Sequence, residues 1–235
     1  MPESPERRRE LLHRVPLFAG LAEERLQALA TVATTRRLSA REELFHKGDP
    51  ASQVYVVSTG RLKVYTTSSE GDEILFTILD EGEVIGELPL LTGGRRTASV
   101  AALEPSELLV LDRRDFLRYL REQPVVAIEL MVVLAERLVR ISEFAEDALF
   151  LSLPARLAKK LLLLCERYGD EAPEGIRIGL KLSQGELADL VGTTRESVNK
   201  QVRAWTEEGT VRMHRGEIVV LRPEALERLA GMVSS

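Results

Sequence analysis

Cysteine, histidine and long apolar runs are scarce in this chain of 235 residues, and each scarcity excludes a class of protein. The single cysteine, Cys165, cannot form an intrachain disulfide or supply a four-thiolate iron–sulfur site. The three histidines, His13, His46 and His214, lack the paired spacing of zinc and iron sites, so we expect no metal. No stretch reaches the roughly 18 to 20 apolar residues that a membrane span needs. The sequence therefore predicts a cytoplasmic protein without a membrane partner.

The formal charge of −5 is distributed unevenly along the chain. From Ser152 onward there are 13 Lys and Arg against 12 Asp and Glu, a net charge of +1, whereas the preceding part has a net charge of −6. In the C-terminal part, Arg195, Lys200 and Arg203 are close in sequence, with Glu196 as the only acid between them. Because basic residues that share one face can hold DNA on an acidic protein, the charge pattern permits nucleic-acid binding.

Short β-branched and aromatic segments separated by glycine turns fill the chain from Arg37 to about Leu111. Three such segments are Gln53–Val57, Leu62–Thr66 and Ile74–Leu79. Regular short strands with glycine turns are typical of a β-sandwich or barrel. The apolar spacing predicts an amphipathic helix over residues 21–33 before the strands and a short helix over 112–120 after them. We therefore expect an N-terminal antiparallel β-barrel domain over residues 1–123.

A long helix is predicted from Pro124 to about Phe150, and it defines a central segment over residues 124–151. Apolar residues along it follow a strict heptad over three repeats, which predicts pairing with an identical helix. After Ala127, this dimerisation seam consists of Met131, Leu134, Leu138, Ile141, Ala145 and Ala148. The alternative is that this face packs on the chain's own barrel, although Leu130, Phe144 and Leu149 lie off the seam and could do so.

The C-terminal part, residues 152–235, contains the most specific pattern. A helix over Ala155–Tyr168 precedes the segment GDEAPEG, whose composition is typical of a surface turn. Ser183, followed by Glu186 three residues later, predicts a capping box that opens the next helix. Gly192 stands where a tight turn needs positive φ, and Thr194 can cap a second helix. The pattern predicts a helix-turn-helix.

The second helix has two distinct faces. Val198, Val202 and Trp205 point inward. The outward face consists of Arg195, Glu196, Asn199, Lys200 and Arg203. Polar side chains at the N-terminal end of such a helix suit the major groove of DNA. Two strands, Val211–Met213 and Glu217–Leu221, would form a wing. The alternative is a helical hairpin with a solvated charged face.

The order barrel, long helix, winged helix-turn-helix, together with the segment LVGTTRESVNK, resembles the CRP/FNR family of bacterial regulators. The resemblance implies an α+β fold whose barrel is a double-stranded β-helix, or jelly roll, of the cyclic-nucleotide-binding type. It further implies a homodimer that binds a near-palindromic double-stranded operator and contacts RNA polymerase. It assigns DNA contact to the following residues: Ser183, Thr194, Arg195, Glu196, Ser197, Asn199, Lys200 and Arg203.

Within that set the resemblance implies separate roles. Arg195 and Lys200 would donate to guanine O6 and N7, and Glu196 would accept from cytosine N4. Thr194 would hold a phosphate. Lys200 stands where many members have arginine, so it keeps the charge but loses the bidentate fork.

A second segment, Ile85–Leu91 followed by Arg95–Ala98, is similar to the phosphate-binding cassette of cyclic-nucleotide domains. The implied ligand residues are Gly86, Glu87, Leu88, Arg96, Thr97 and Ala98, with Ser142 on the long helix. Arg96 would meet the cyclic phosphate bidentately, Thr97 would donate its hydroxyl, and Glu87 would accept from the ribose 2′-OH. Cyclic AMP is the effector that this likeness favours.

Two departures leave other effectors open. Pro89 has no backbone N–H to offer a phosphate, and Ile141 stands where threonine would contribute a base-reading hydroxyl. A regulator that responds to another ligand, or that is active without one, is therefore the main alternative. A cupin-like enzyme is the remote one, since the barrel has a single histidine, His46, for a metal site. We expect no catalytic activity.

Overall fold

The computed structural model describes residues 4–231, which form two compact units. One contains the chain up to Ser68 together with Phe76–Val139, and the other contains Ser69–Leu75 and the chain from Arg140 onward. The division therefore falls inside the long helix predicted from the sequence. Each unit is described by itself below.

Eight strands form the N-terminal domain, in two four-stranded sheets of order β1-β8-β3-β6 and β2-β7-β4-β5. Their bounds are β1 Thr34–Leu38, β2 Glu43–Phe45, β3 Gln53–Thr59, β4 Leu62–Thr67, β5 Glu73–Leu79, β6 Val84–Ile85, β7 Ser99–Ala102 and β8 Ser106–Asp112. Side chains alternate across β3. Tyr55 and Val57 lie in the core between the sheets, whereas Val54 and Val56 lie in a second core on the opposite face. The predicted antiparallel β-domain is confirmed.

Helices cover the face of the first sheet that carries Val54 and Val56. They are α1 Pro5–His13, α2 Glu23–Val32, α3 Leu88–Thr92 and α4 Arg113–Glu122, with a 3₁₀ turn at Pro16–Phe18. The second core contains buried residues of this turn, α2 and α4, including Phe18, Leu29 and Phe116. The helices over 21–33 and 112–120 are thus confirmed to within two residues. Helix α1 was not predicted, because Leu12 is its single buried residue and gives no apolar period.

The long helix α5 spans Pro124–Phe150, as predicted. Val126 and Leu130 are buried in the second core, and Leu134 packs against it. Along the rest of the helix several large apolar side chains remain exposed.

The C-terminal elements combine helices with a small sheet. They are α6 Leu153–Tyr168, β9 Gly169–Ala172, β10 Gly175–Ile178, α7 Gln184–Val191, α8 Arg195–Glu207, β11 Val211–His214, β12 Glu217–Val220 and α9 Pro223–Ala230. The two predicted wing strands are β11 and β12. The sheet is larger than predicted, since it has four strands in the order β11-β12-β10-β9.

The segment GDEAPEG is where the sequence interpretation was wrong. It supplies all of β9 and the turn into β10, not a loop alone. Ile176 pairs with Val220 and Ile178 pairs with Ile218, so β10 is held by the apolar strand β12. Strand β9 then pairs with β10 through Gly169 to Ala172. The acidic composition of β9 gives no sign of a strand, because β9 is stabilised by its pairing with β10.

Candidate effector pocket and DNA-binding surface

The first candidate site begins at Gly86, which follows β6. Its φ of +89° is a conformation that side chains with a Cβ rarely adopt. A Cβ at this position would lie 2.3 Å from Nη1 of Arg96, so a larger residue would displace the guanidinium from its present position. The Gly86 carbonyl oxygen in turn accepts from that Nη1 at 3.0 Å. The two segments of the predicted cassette are therefore in contact through Gly86 and Arg96.

Arg96 is 4% exposed and held from several sides. Its Nη2 donates to the Gln53 carbonyl at 2.7 Å. The guanidinium carbon lies 4.1 Å from the ring centroid of Phe45 and 5.5 Å from that of Tyr55. Loss of hydration lowers the pKa of Arg96 from its ordinary value, while Tyr55 and then Glu87 act in the opposite direction. The side chain remains a cation at neutral pH, and its Nε has no hydrogen-bond partner among the described residues.

Glu87 is fully buried and is paired with a residue that sequence reasoning missed. Its Oε1 accepts from Nη1 of Arg137 at 2.7 Å. Arg137, on α5, also donates to the Val84 carbonyl. Nothing in the sequence distinguishes Arg137 from the neighbouring charged residues of the helix, because the pairing depends on how α5 packs on the barrel.

Three buried polar atoms of this cluster have no partner within the described chain: Glu87 Oε2, Arg96 Nε and Arg137 Nε. Leaving buried polar atoms unpaired is unfavourable, and native proteins satisfy most of them with protein, water or ligand. One oxygen that accepts and two N–H groups that donate suit a ligand that carries a hydroxyl and an anionic group. The cluster can therefore hold such a ligand.

The remaining predicted ligand residues are placed less uniformly. Thr97 is exposed and Ala98 is half-buried against the inter-sheet core. Leu88, which begins α3, is 40% exposed. Pro89 occupies the first turn of α3, where the absent N–H costs the helix no hydrogen bond. Ser142 lies on the part of α5 that belongs to the other unit, so its contribution stays a prediction.

The second candidate site is the helix pair α7 and α8. Ser183 Oγ accepts from the Glu186 backbone N–H at 3.1 Å, and Glu186 Oε2 accepts from the Ser183 N–H at 2.7 Å. This is the predicted capping box. Gly192 ends α7 with φ 71° and ψ 53°, and a Cβ there would lie 3.3 Å from Phe144. Thr194 caps α8, since its Oγ1 accepts from the Ser197 N–H at 3.2 Å.

The two faces of α8 are as predicted. Val198, Val202 and Trp205 are at most 4% exposed. The polar residues of the outward face are all exposed: Arg195, Glu196, Asn199, Lys200 and Arg203. Arg203 pairs with Glu207 at 3.2 Å. In the described part of the chain Arg195 and Lys200 form no ion pair, so their charges face solvent.

A cleft lies beside the start of α8. It has a volume of about 370 Å³ and is bounded by Gln184 of α7, Arg195 of α8 and Arg215 of the β11–β12 turn. Gln184 donates its Nε2 to Asn199 Oδ1 at 3.1 Å, which joins the two helices. Neither Gln184 nor Arg215 was predicted from the sequence, since neither belongs to a periodic face.

The exposed apolar stripe of α5 differs from the predicted seam. Met131, Leu138 and Ile141 are 60, 65 and 58% exposed, and Ala145 and Ala148 are exposed as well. Leu134 instead packs against the second core of the barrel domain. Ile128, 54% exposed, was not predicted. The exposed stripe therefore contains these seam residues other than Leu134, with Ile128 in addition.

The described residues contain no candidate metal cluster and no candidate membrane-spanning helix. No group of three or more His, Cys, Asp or Glu that could hold a metal ion occurs in residues 4–231. None of the helices described is both long and apolar enough to span a membrane.

Two regions of the chain match known domain families. Residues 35–123 match the sequence profile of the cyclic nucleotide-binding domain, and residues 155–229 match that of the Crp-like helix-turn-helix domain. The chain is 35% identical to the cyclic AMP receptor protein of Thermus thermophilus over 216 residues, covering 92% of this chain and 96% of that one. The chain belongs to the CRP/FNR family. It is thus a transcription regulator that combines a cyclic-nucleotide-binding-type domain with a helix-turn-helix DNA-binding domain.

Other relatives agree on the family and differ in name. The CRP/FNR regulator is 33% identical over 187 residues to the global nitrogen regulator of Synechocystis, covering 79% of this chain and 83% of the relative. The crystal structure of TTHA1359, a CRP/FNR-family regulator of Thermus thermophilus, superposes with a TM-score of 0.67 at 26% identity, covering 84% and 98% of the two chains. The predicted fold and regulator class are confirmed.

Proposed function

We propose that this CRP/FNR regulator binds a near-palindromic operator as a cytoplasmic homodimer and responds to a cyclic nucleotide held by the cluster of Gly86, Glu87 and Arg96. It acts on transcription through DNA and RNA polymerase and catalyses no reaction. The observation that carries the effector part is the buried Glu87–Arg137 pair beside Arg96, with three polar atoms that lack a partner in the described chain.

The chemistry of a cyclic nucleotide matches these atoms. Glu87 Oε2 accepts from the ribose 2′-OH, and Arg96 Nε donates to the single negative charge of the cyclic phosphate. Two of the five N–H groups of Arg96 are used by the Gly86 and Gln53 carbonyls, so others remain for the ligand. Thr97, which is exposed, adds its hydroxyl. Cyclic AMP is the first candidate because the Thermus thermophilus relative is named a cyclic AMP receptor protein.

A second effector class rests on specific observations. Pro89 offers no N–H, and Ile141 offers no hydroxyl to a base. Relatives of this chain also include a protein named only a global nitrogen regulator. A regulator with the same DNA-binding unit and a different small anion in the barrel is therefore the alternative.

The DNA part rests on the exposed face of α8. Arg195 and Lys200 donate to guanine, Glu196 accepts from cytosine, and Thr194 together with Ser183 and Ser197 lies at helix starts that suit phosphate contact. Two copies joined along α5 present two such helices about 34 Å apart, one turn of DNA. The exposed stripe with Ile128, Met131 and Leu138 supports this pairing, since a monomer would leave it in water.

Calorimetry tests the effector. Cyclic AMP and cyclic GMP are titrated separately into the full-length protein, its Arg96→Ala variant, and the control Arg121→Ala, which removes an exposed arginine of α4. We expect binding of at least one nucleotide to the unmodified protein and to the control, and none to Arg96→Ala. Absence of heat from both nucleotides with the unmodified protein would favour the alternative effector.

A separate assay tests the DNA part. Duplexes are selected by the full-length protein from a randomised pool, with and without cyclic AMP, and the mass of the complex is measured by sedimentation. We expect a near-palindromic consensus bound by two copies. A monomer that selects no sequence under either condition would refute the proposal.

A further inference from the structure

An amide pair links the two helices of the helix-turn-helix. Gln184 is the first residue of α7 and is half-buried, whereas Asn199 is exposed in the middle of α8. Nε2 of Gln184 donates to Oδ1 of Asn199 at 3.1 Å. Asn199 belongs to the proposed reading face, one helical turn after Arg195. Gln184 lies beside that face, in the wall of the cleft that Arg195 also lines.

The hydrogen bond decides which atoms Asn199 presents. A carboxamide carries an oxygen that accepts and an NH₂ group with two donors. With Oδ1 directed to Gln184, the Nδ2 group is the end that faces away from α7, and within residues 4–231 it has no hydrogen-bond partner. Asn199 therefore offers donors to a molecule that lies against the outer face of α8.

Base pairs differ in what they offer to a donor. In the major groove guanine shows the acceptors O6 and N7, adenine shows the acceptor N7 beside its N6 amino group, and thymine shows the acceptor O4. Cytosine shows only the N4 amino group, which donates. A fixed NH₂ group pairs with the acceptors and leaves the cytosine amino group opposed to another donor. A carboxamide that could rotate by 180° would present either its oxygen or its NH₂ group, and so would tolerate both acceptors and the cytosine amino group.

We infer that Gln184 is a specificity-determining residue of this regulator: it holds the amide of Asn199 by its oxygen, so that Asn199 selects base atoms that accept a hydrogen bond and rejects cytosine. This inference rests on the proposed operator binding. Gln184 is a positioning residue, since it acts through Asn199. The effect is confined to one base position in each half-site, distinct from the position that Arg195 reads one turn earlier on α8.

The test compares base preference between variants. Operators selected by the full-length protein from a randomised duplex pool are varied one base at a time, and affinities are measured by fluorescence anisotropy. The variants are Gln184→Ala, Gln184→Met, Asn199→Ala and the double variant Gln184→Ala with Asn199→Ala. Gln184→Met keeps the bulk of the side chain and loses the donor. Gln201→Ala on α8 is the matched control, and far-UV circular dichroism establishes that each variant is folded.

The unmodified protein is expected to reject cytosine at one position by about 5- to 150-fold, in the range of one good base contact. Both Gln184 variants reduce that ratio by about 5-fold or more and leave the other positions unchanged. Asn199→Ala abolishes the ratio, and the double variant behaves as Asn199→Ala alone, because Gln184 has nothing left to position. Gln201→Ala retains the preference.

Asn199→Asp tests the orientation of the amide. A carboxylate still accepts from Gln184 but has no donor, so the preference at this position should reverse toward cytosine. A variant that kept the original preference would overturn the inferred orientation.

Two further results would overturn the inference. One is a Gln184→Ala protein with the base preferences of the unmodified protein at every position. The other is a uniform loss of affinity for all duplexes with a salt slope reduced by about 1, which would identify Gln184 as a phosphate contact. Failure of the unmodified protein to select any sequence is a separate result, and it would refute the operator binding itself.

Discussion

The effector cluster in the barrel and the reading face of α8 both depend on arginine, but in opposite environments. Arg96 and its neighbour Glu87 are 4 and 0% exposed and are held by carbonyls, aromatic rings and Arg137. Arg195 and Lys200 are exposed, with no ion pair in the part of the chain that the structure describes. The barrel charges are therefore paired within the fold, whereas Arg195 and Lys200 of α8 stay available to the DNA that we propose they bind.

The largest effect is expected from Glu87→Ala. The change leaves Arg137 buried without its carboxylate, and breaking a buried pair in this way costs about 3–5 kcal/mol of stability. Urea unfolding followed by far-UV circular dichroism measures the loss.

Two variants control for that result. Glu122→Ala removes an exposed carboxylate from α4 and should change the free energy of unfolding by no more than about 0.5 kcal/mol. Glu87→Ala combined with Arg137→Met should be less destabilised than the single Glu87 variant, because the guanidinium of Arg137 no longer stays buried without its carboxylate. Unchanged stability of Glu87→Ala would show that the buried charges of the barrel stabilise the fold no more than the exposed charges of α8.

Arg195→Ala is expected to separate function from stability. Loss of one bidentate base contact should weaken binding to the selected operator by about 1–3 kcal/mol, or roughly 5- to 150-fold, while the unfolding midpoint stays unchanged. Anisotropy titrations and thermal melts measure the two quantities. Arg228→Ala, on α9 of the same unit, is the charge-matched control, and equal weakening by both variants would mean that only net charge is read.

Thr194 is expected to contribute to both stability and operator binding, with smaller effects. Thr194→Ala removes the cap of α8 and should lower the stability of the protein by about 1 kcal/mol, with a further loss of operator affinity. Thr194→Ser keeps the hydroxyl and should restore both quantities. If the serine variant restores stability but not affinity, the methyl group of threonine contributes to DNA contact.

The smallest effect concerns the buried thiol of Cys165, and it should appear only at high pH. Burial raises the pKa of Cys165 from 9.0 to about 11. The folded protein therefore keeps a proton that the unfolded chain releases above pH 9, so stability falls as the pH rises from about 9 toward 11. Between pH 8 and 10 the unmodified protein should lose about 1 kcal/mol more than Cys165→Ala. Identical pH profiles would show that the thiol is hydrated in the fold.

Most elements were predictable because their signals are local. The capping box of Ser183 and Glu186, the turn at Gly192 and the cap at Thr194 each involve residues within a few positions of one another, so α7 and α8 follow from sequence. The long helix from Pro124 to Phe150 follows from its apolar period for the same reason.

Elements whose stability depends on distant neighbours were missed or misread. Strand β9 has an acidic, turn-like sequence and exists because β10 pairs with β12 on its other side. Leu134 fits the predicted seam by spacing, yet it packs against the core of the barrel domain. Helical periodicity gives the spacing of a face but not which partner that face contacts.

Local signals were sufficient to predict the order of the elements, the capped helix pair and the residues that α8 exposes, because propensity, caps and period act over a few residues. The pairing of Arg137 with Glu87 across 50 residues and the hydrogen bond from Gln184 to Asn199 could not be predicted in this way and became visible in the folded chain. Such contacts join elements that are remote in sequence, and they form only where packing brings a donor within about 3 Å of an acceptor.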